Sequence, residues 1–233
     1  MTPPPVVLVH GAGSTHRHNW GGSGWTDVLA DEGRTVVPFE LPGHGEAPPL
    51  ADADGVAAAG DVERLLALLA ADGGPAPVDA IGFSAGARLL LRAAARHPAA
   101  FRRLVLLGVG DNLLRPGDGS AAWLVNVLEA PAEPAEPPAR TVWRLVASAG
   151  NDRAAVAAYL RRPVPALTAG DLAAVDLPVL VVLGDRDPGA PGADLVAALP
   201  DARLVTLPGL DHFGTTADVR AMEAATGFLR AAG

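Results

Sequence analysis

The chain has 233 residues, a hydrophobic fraction of 49% and a formal net charge of −8. This length and apolar content allow one large domain with a sizeable core, and the negative charge excludes nucleic-acid binding through a basic face. The absence of cysteine excludes disulfide bonds, thiolate catalysis and cysteine metal sites. All 18 basic residues are arginine, which excludes Schiff-base chemistry on a lysine.

No apolar run approaches the roughly 20 residues of a membrane span. The N-terminus lacks the basic region and apolar run of a signal peptide. We therefore expect a cytoplasmic protein without nucleic-acid or membrane partners. The sequence leaves open whether it is a monomer or a homodimer. The abundance of Ala, Arg, Gly and Pro indicates a GC-rich bacterial source.

Short apolar runs alternate with helical patterns, which predicts βαβ units and a parallel sheet. Strands are predicted, in chain order, at Val6–Val9, Thr35–Phe39, Val78–Ile81 and Arg103–Leu107. The helices between them are predicted at Trp25–Asp31, Gly60–Ala71 and, amphipathic, from Ala87 to Ala95.

The segment 110–175 interrupts this alternation. It contains the proline-rich stretch 129–138, which suits neither a regular helix nor a central strand. Helical patterns lie near 120–128, 140–148 and 152–160. The alternatives are a disordered linker and a short helical cap over one end of the sheet, and the aromatic residues of the segment favour the cap.

The alternation resumes with strands at Val179–Leu183 and Leu204–Leu207 and helices at Ala190–Ala198 and Ala217–Ala231. The prediction is an α/β fold with a mostly parallel sheet of about six strands. Residues 1–109 and 176–233 would form the core domain, and residues 110–175 would form the cap.

The pentapeptide Gly82–Gly86 has the pattern G-x-S-x-G between a strand and a helix. The two glycines remove the Cβ atoms that would clash in a sharp strand-to-helix turn. Ser84 could therefore point its hydroxyl out of the top of the sheet as a nucleophile. It would need a base, and the base an orienting acid, in loops at the carboxyl ends of the strands.

His212, between the last strand and the last helix, is the predicted base. The other histidines have structural interpretations. His97 would interact with a helix C-terminus, His44 would anchor the turn Pro42–Gly45, and His10 would shape the first loop; His16 and His18 would line a pocket mouth or form a weak metal pair. No metal site is predicted.

Two aspartates follow the strand Val179–Leu183. Asp187, at the tip of the loop, is the preferred acid, while Asp185 would cap the turn or pair with Arg186. Asp111, at the end of another strand, is a third candidate.

An acyl-transfer site also needs donors for the oxyanion. The N–H of Ala85, next to the serine, is one, and the N–H of Ala12 in the loop His10–Gly13 is the other. The glycines from Gly11 to Gly24 are not predicted to form a phosphate-binding loop, because neither glycine-rich phosphate motif is present. The candidate substrate-binding residues, each of which could equally be core, are Trp20, Leu113, Trp123, Trp143 and Phe213.

Together, the loop His10–Gly13, the segment Leu41–Gly45, the pentapeptide, Asp187 after a strand and His212 near the end resemble the α/β-hydrolase superfamily. The order serine, aspartate, histidine is that of the family. The resemblance implies attack by Ser84 on an ester-like carbonyl without a cofactor, an acyl-enzyme, and hydrolysis by water. Family members commonly begin with two antiparallel strands, and too few residues precede the first strand here, so we expect a sheet lacking that hairpin.

The leading hypothesis is a serine esterase, lipase-like enzyme or lactonase acting on a small apolar ester. The second is a thioesterase, a cyclase or a C–C-bond lyase or hydrolase of a biosynthetic pathway. The third is a binding protein that keeps the fold without chemistry, since fold does not imply function.

Overall fold

The computed structural model describes residues 2–48, 59–71, 77–115 and 120–231. Its strands are β1 (Val6–Val9), β2 (Val36–Phe39), β3 (Val78–Phe83), β4 (Phe101–Leu107), β5 (Val179–Gly184) and β6 (Ala202–Leu207). They form one six-stranded sheet in the order β2-β1-β3-β4-β5-β6, and all the pairs are parallel. The predicted α/β fold with about six strands is confirmed. The described residues before β1 do not join the sheet.

The strand order places a topological switch point between β1 and β3. From β1 the chain crosses to β2 on one side and then returns to β3 on the other. Crevices at the carboxyl ends of strands that flank such a point are the usual ligand sites of open α/β sheets. The loop that follows β1 and the turn that follows β3 therefore meet at this crevice.

Helices cover both faces of the sheet. Their bounds are α1 (Trp25–Asp31), α2 (Ala59–Ala71), α3 (Ala85–Arg96), α4 (Ser120–Glu129), α5 (Pro137–Ser148), α6 (Arg153–Arg161), α7 (Ala169–Ala173), α8 (Ala193–Ala198) and α9 (Val219–Arg230). None of the helices in the part of the chain that the structure describes has the length and apolar character needed to cross a membrane.

Two apolar cores lie on opposite faces of the sheet, because successive strand residues point to opposite sides. In β1, Val7 and Val9 pack into the core beneath α2, α3, α7 and α8. Val6 and Leu8 pack into the core beneath α1 and α9. Burial on both faces explains why β1 is a continuous apolar run.

Helices α4–α6, between β4 and β5, surround a third apolar cluster of their own, which includes Val125, Val142 and Val156. Tyr159 of α6 packs against the main core and so joins this segment to the rest of the molecule. The division into a core domain and a cap stays a prediction.

Several boundaries differ from prediction. The prediction of a non-helical stretch at 129–138 is wrong at its C-terminal end, because α5 begins at Pro137 with proline in its first turn, where a missing N–H costs no hydrogen bond. Helix α8 begins at Ala193 instead of Ala190, directly after Gly192 with a φ of 83°. The short helix α7 was not predicted, although Thr168 and Asp171 form a capping box at its start.

Candidate active site

The turn between β3 and α3 holds Ser84 in a strained backbone conformation. Its φ is 51° and its ψ is −110°, and among the described residues it is the only non-glycine with a positive φ. Such conformations cost about 1–3 kcal/mol and persist only where the surroundings enforce them. Here the Ser84 N–H donates to the Leu107 carbonyl at 2.9 Å, which ties the turn to the end of β4.

The glycines that flank Ser84 are needed because backbone passes close to both. A Cβ on Gly86 would overlap the Val9 carbonyl and lie 2.6 Å from the His10 carbonyl, and a Cβ on Gly82 would lie 2.7 Å from the Ala87 nitrogen. The pattern G-x-S-x-G is thus a requirement of the packing between β1, β3 and α3.

His212 and Asp187 form a hydrogen-bonded pair. Their Nδ1 and Oδ2 atoms are 2.8 Å apart, and the Asp187 side chain is 1% exposed. The other Asp187 oxygen accepts from the Gly189 N–H at 2.7 Å. Because the Asp187 carboxylate oxygen faces Nδ1, the neutral His212 ring carries its proton on Nδ1 and leaves Nε2 as an acceptor.

The His212 ring is also held by packing. Its centroid lies 4.8 Å from that of Phe83, the residue before Ser84, and a Cβ on Gly108 would lie 3.1 Å from its Cε1. Ser84, Asp187 and His212 line one cavity. The structure therefore brings together the three residues that the sequence analysis placed in three separate loops.

The two alternative aspartates have other partners. Asp185 accepts from the Gly209 N–H at 2.8 Å, in an exposed position that fits the turn role expected for it. Asp111 is buried and accepts from the Leu195 N–H in the first turn of α8, at 3.0 Å. Neither is among the described residues that line the cavity.

The first loop is anchored on both sides of Ala12. The Gly11 N–H donates to Asn19 Oδ1 at 3.3 Å, and the Gly13 N–H donates to His44 Nε2 at 2.9 Å. Ala12 and Ala85 both line the cavity beside Ser84. A Cβ on Gly11 would lie 3.5 Å from the Ser84 Cβ, so the backbone of this loop approaches the serine closely.

His44 is a fully buried acceptor for this loop. Its Nδ1 lies 3.0 Å from the Pro42 carbonyl, to which the neutral ring donates. Burial, reinforced by the nearby His10, lowers the pKa of His44 from 6.5 to about 3. A proton on Nε2 would collide with the Gly13 N–H, so the geometry and the depressed pKa agree on a neutral ring.

This depressed pKa predicts acid destabilisation. Between pH 6.5 and 3 the unfolded chain protonates His44 and the folded chain does not, so stability present above pH 6.5 is lost as the pH falls, by up to about 1.4 kcal/mol per pH unit. Urea unfolding at pH 7, 6, 5 and 4 measures this, with His44→Gln as the comparison. The variant should lose less stability on acidification; equal losses in the two proteins would contradict the assignment.

Asn151, after α5, is a contact that the sequence analysis missed. Its Nδ2 donates to the carbonyls of Gly13 and Ser14, each at 2.9 Å, and its Oδ1 accepts from the Gly45 N–H at 2.8 Å. One side chain from the segment 110–175 thereby fixes the first loop against the turn Pro42–Gly45. No local pattern indicates this, since an asparagine after a glycine is typical of any loop.

Three further histidines are not part of the His212–Asp187 pair. His10 is buried, with Nδ1 2.8 Å from the Gly11 carbonyl and Nε2 2.7 Å from a Glu40 oxygen. His18 lines the cavity, with Nδ1 3.2 Å from Ser14 Oγ. Burial lowers the pKa of His16. Within the described ranges no group of three residues suited to bind a metal is found.

Three of the five candidate substrate-binding residues line the cavity, namely Leu113, Trp123 and Phe213. The prediction for Trp20 is wrong, because its ring is 0% exposed in the core and packs edge-to-face on Trp25 at 5.5 Å. The prediction for Trp143 also fails, because it lines a different, smaller depression. There the Arg153 guanidinium lies 3.5 Å from the centre of its ring.

The cavity has a volume of about 1850 Å³, larger than the ~300–1,000 Å³ typical of small-molecule pockets. Its walls come from the first loop, the start of α3, helices α4–α6 and the loops after β4, β5 and β6. The lining also contains five arginines that were not predicted as site residues, Arg17, Arg88, Arg92, Arg115 and Arg162. Two of them could have been predicted from their spacing, because Ser84, Arg88 and Arg92 follow one another at intervals of four residues along one helix.

The sheet, the strained serine turn and the histidine–aspartate pair define an α/β hydrolase. In agreement, the model of the alpha/beta hydrolase family matches residues 6–225, and the chain belongs to this family.

The chain is similar in sequence to an esterase and to part of a polyketide synthase. Pimeloyl-[acyl-carrier protein] methyl ester esterase of Methylococcus capsulatus is 39% identical over 115 residues, which are 49% of this chain and 41% of the relative. The polyketide synthase ThaQ of Burkholderia thailandensis is 28% identical over 90% of this chain and 11% of its own length. The chain thus spans less than half the length of the curated relatives it matches.

Solved structures show the same fold. The enol-lactonase of Burkholderia xenovorans superimposes with a TM-score of 0.74 at 20% identity, over 99% of this chain and 93% of that one.

Proposed function

We propose that the chain is a serine hydrolase that cleaves a carboxylic ester or lactone through an acyl-enzyme. The observation that carries this proposal is the hydrogen bond between His212 and the buried Asp187, on the same cavity as Ser84. Membership of the family, and relatives named as an esterase and an enol-lactonase, support it.

In this mechanism the Ser84 oxygen attacks the carbonyl carbon while His212 Nε2 takes its proton. The N–H groups of Ala12 and Ala85 would hold the oxyanion, and each such donor is worth about 2.7–4 kcal/mol in the transition state. The C–O bond to the leaving group then breaks, and His212 returns the proton to the departing alcohol. Water attacks the acyl-enzyme by the same steps and releases the acid and free Ser84.

Asp187 would hold the ring in the productive tautomer and stabilise the imidazolium. The anchors of the first loop, His44 and Asn19, would keep the Ala12 N–H in place beside Ser84. Helices α4–α6 would act as the cap that shapes the acyl or alcohol site.

Acyl transfer from a thioester is the second candidate. The match to part of a polyketide synthase over 90% of this chain favours it, and the same residues would serve. An N-acetylcysteamine thioester and the oxygen ester of the same acid distinguish the two. A kcat/KM at least 100-fold higher for the thioester would favour the second candidate.

Covalent trapping tests the mechanism. The protein should hydrolyse 4-nitrophenyl acetate and butyrate and should react with a fluorophosphonate probe in a one-to-one ratio. Trypsin cuts at Arg64 and Arg88, and the fragment 65–88 contains Ser84 as its only hydroxyl residue. The probe mass on this fragment would support the proposal; an unlabelled fragment, or none of the ester turned over, would favour a non-catalytic binding protein.

A further inference from the structure

Asn151 lies at a joint between helices α5 and α6 that is fixed from both sides. Its N–H donates to the Val146 carbonyl at 3.1 Å, and the Gly150 N–H donates to the Ala147 carbonyl at 3.0 Å. With a φ of 75° at Gly150, these two bonds form the Schellman motif that ends α5. The next residue, Asp152, accepts from N–H groups in the first turn of α6. The two helices together therefore define where the Asn151 side chain lies.

The amide of Asn151 uses both of its N–H groups on the first loop. They donate to the carbonyls of Gly13 and Ser14, each at 2.9 Å, and an asparagine amide has two N–H donors. The amide oxygen accepts from the Gly45 N–H at 2.8 Å. Val146 of α5 packs against the same loop, since a Cβ on Gly13 would lie 2.8 Å from its Cγ2. The segment 110–175 thus holds the first loop by polar and apolar contacts together.

The bonds from Asn151 reach the turn that carries the Ala12 N–H. The Ser14 N–H donates to the Gly11 carbonyl at 3.2 Å, which makes Ala12 and Gly13 the central residues of a four-residue turn. The φ of 81° at Gly13 suits the second central position of a type II turn. Asn151 binds the carbonyls of the two residues that follow Ala12 in this turn. A displacement of these two residues would therefore move the Ala12 N–H.

Building on the serine-hydrolase function proposed above, we propose that Asn151 is a positioning residue for the oxyanion site. It fixes the turn Gly11–Ser14 so that the Ala12 N–H faces the oxygen that becomes negative when Ser84 attacks. Asn151 acts through Ala12, since it is not among the described residues that line the cavity. The segment 110–175 then contributes to stabilisation of the transition state as well as to the walls of the cavity.

Two substitutions of Asn151 test this role. Asn151→Ala removes the three side-chain hydrogen bonds, whereas Asn151→Asp keeps an acceptor for the Gly45 N–H and places a carboxylate oxygen against the carbonyls of Gly13 and Ser14. Because a misplacement of about 1 Å can cost about 10²-fold in rate, both variants should lower kcat for 4-nitrophenyl butyrate by about 10- to 100-fold. KM should stay close to the wild-type value, because the interaction that is lost is made in the transition state.

Asp152→Ala is the matched control. The Asp152 carboxylate accepts from the N–H groups of Ala154 and Ala155, at 2.7 and 3.1 Å, so this substitution also removes hydrogen bonds at the joint between α5 and α6. These partners belong to α6 and not to the first loop. The melting temperature should fall by several degrees, as in the Asn151 variants, while kcat stays near that of the wild type. An equal loss of kcat in Asp152→Ala would show that a weakened joint is enough and would contradict the positioning role.

A transition-state analogue gives a readout that a loss of stability does not move. The Ser84 oxygen adds to the carbonyl carbon of hexyl trifluoromethyl ketone, the C=O electron pair moves to the oxygen, and His212 takes the serine proton. The matching secondary alcohol binds in the cavity without forming an adduct. In the Asn151 variants the inhibition constant of the ketone should rise by about the factor by which kcat/KM falls. That of the alcohol should stay close to the wild-type value.

The outcomes separate this proposal from the one on which it rests. A wild-type kcat in Asn151→Ala, or equal rises in the inhibition constants of ketone and alcohol, would overturn the positioning role and leave the serine hydrolase standing. Loss of the fold in both Asn151 variants would also overturn it, because the amide would then support the whole molecule and not the oxyanion site in particular. A wild-type protein that neither hydrolyses the ester nor binds the ketone more tightly than the alcohol would overturn both proposals.

Discussion

Replacing Ser84 by alanine should lower kcat for a short-chain 4-nitrophenyl ester by about 10⁶-fold, the loss typical when the nucleophile of a serine hydrolase is removed. The variant has no oxygen to form the acyl bond. What remains would be the residual catalysis of the oxyanion donors and of substrate binding, about 10³–10⁴ over water.

Alanine should keep the turn itself intact. It has the same Cβ as serine and accepts the φ of 51° at a similar cost, and the Ser84 N–H bond to the Leu107 carbonyl is a main-chain bond that survives. The melting temperature should therefore stay close to that of the wild type, which separates lost chemistry from lost structure. A kcat within 10-fold of the wild type in a folded variant would contradict the role of Ser84.

The turn could be predicted from the sequence because its residue pattern is local. The two glycines of Gly82–Gly86 are needed by contacts within the strand-turn-helix unit and with β1, and the apolar run before it and the helical pattern after it lie next to it in the chain. The sheet was predictable for a related reason, since each buried strand is a short continuous apolar run. The positions of Asp187 and His212 followed from the rule that parallel strands present their loops at one edge.

The predictions that failed concern the environment of two tryptophan side chains. The sequence alone does not distinguish Trp20 and Trp143 from Trp123, which lines the cavity. A tryptophan in a loop or an amphipathic helix suits a core, a cavity or a surface equally well. The structure places Trp20 in the core beside Trp25 and Trp143 beneath Arg153. Only the packing of the elements decides among these environments.

The support of the first loop is equally non-local. Asn151 reaches Gly13 across a separation of 138 residues, and His44 reaches it across 31. Neither pairing leaves a periodic or spacing pattern in the chain. The proline-rich stretch 129–138 has a clear local pattern, but the prediction from it was wrong at its C-terminal end. Pro137 begins α5, where it was expected to prevent a helix.

Replacing Asp187 by asparagine should lower kcat by about 10⁴-fold, while Asp185→Asn should leave it near the wild-type value. In the variant, the amide oxygen of residue 187 can keep the bond from the Gly189 N–H, which is 2.7 Å long in the wild type. Its NH₂ group then faces His212 Nδ1 and donates to it. The ring is forced to carry its proton on Nε2, where it can no longer accept the proton of Ser84.

Asp185 is the matched control because it differs in its contacts and not in its chemistry. It follows the same strand two residues earlier, but its partner is the Gly209 N–H, 2.8 Å away in an exposed turn. Its substitution therefore removes a turn contact and leaves the tautomer of His212 unchanged. Steady-state kinetics on one ester, with melting temperatures for both variants, makes the comparison. Equal losses of kcat in the two variants would show that the aspartate effect is structural, and a loss confined to Asp185→Asn would reassign the acid. A loss confined to Asp187→Asn supports the tautomer argument, because the two substitutions remove the same charge from the same loop.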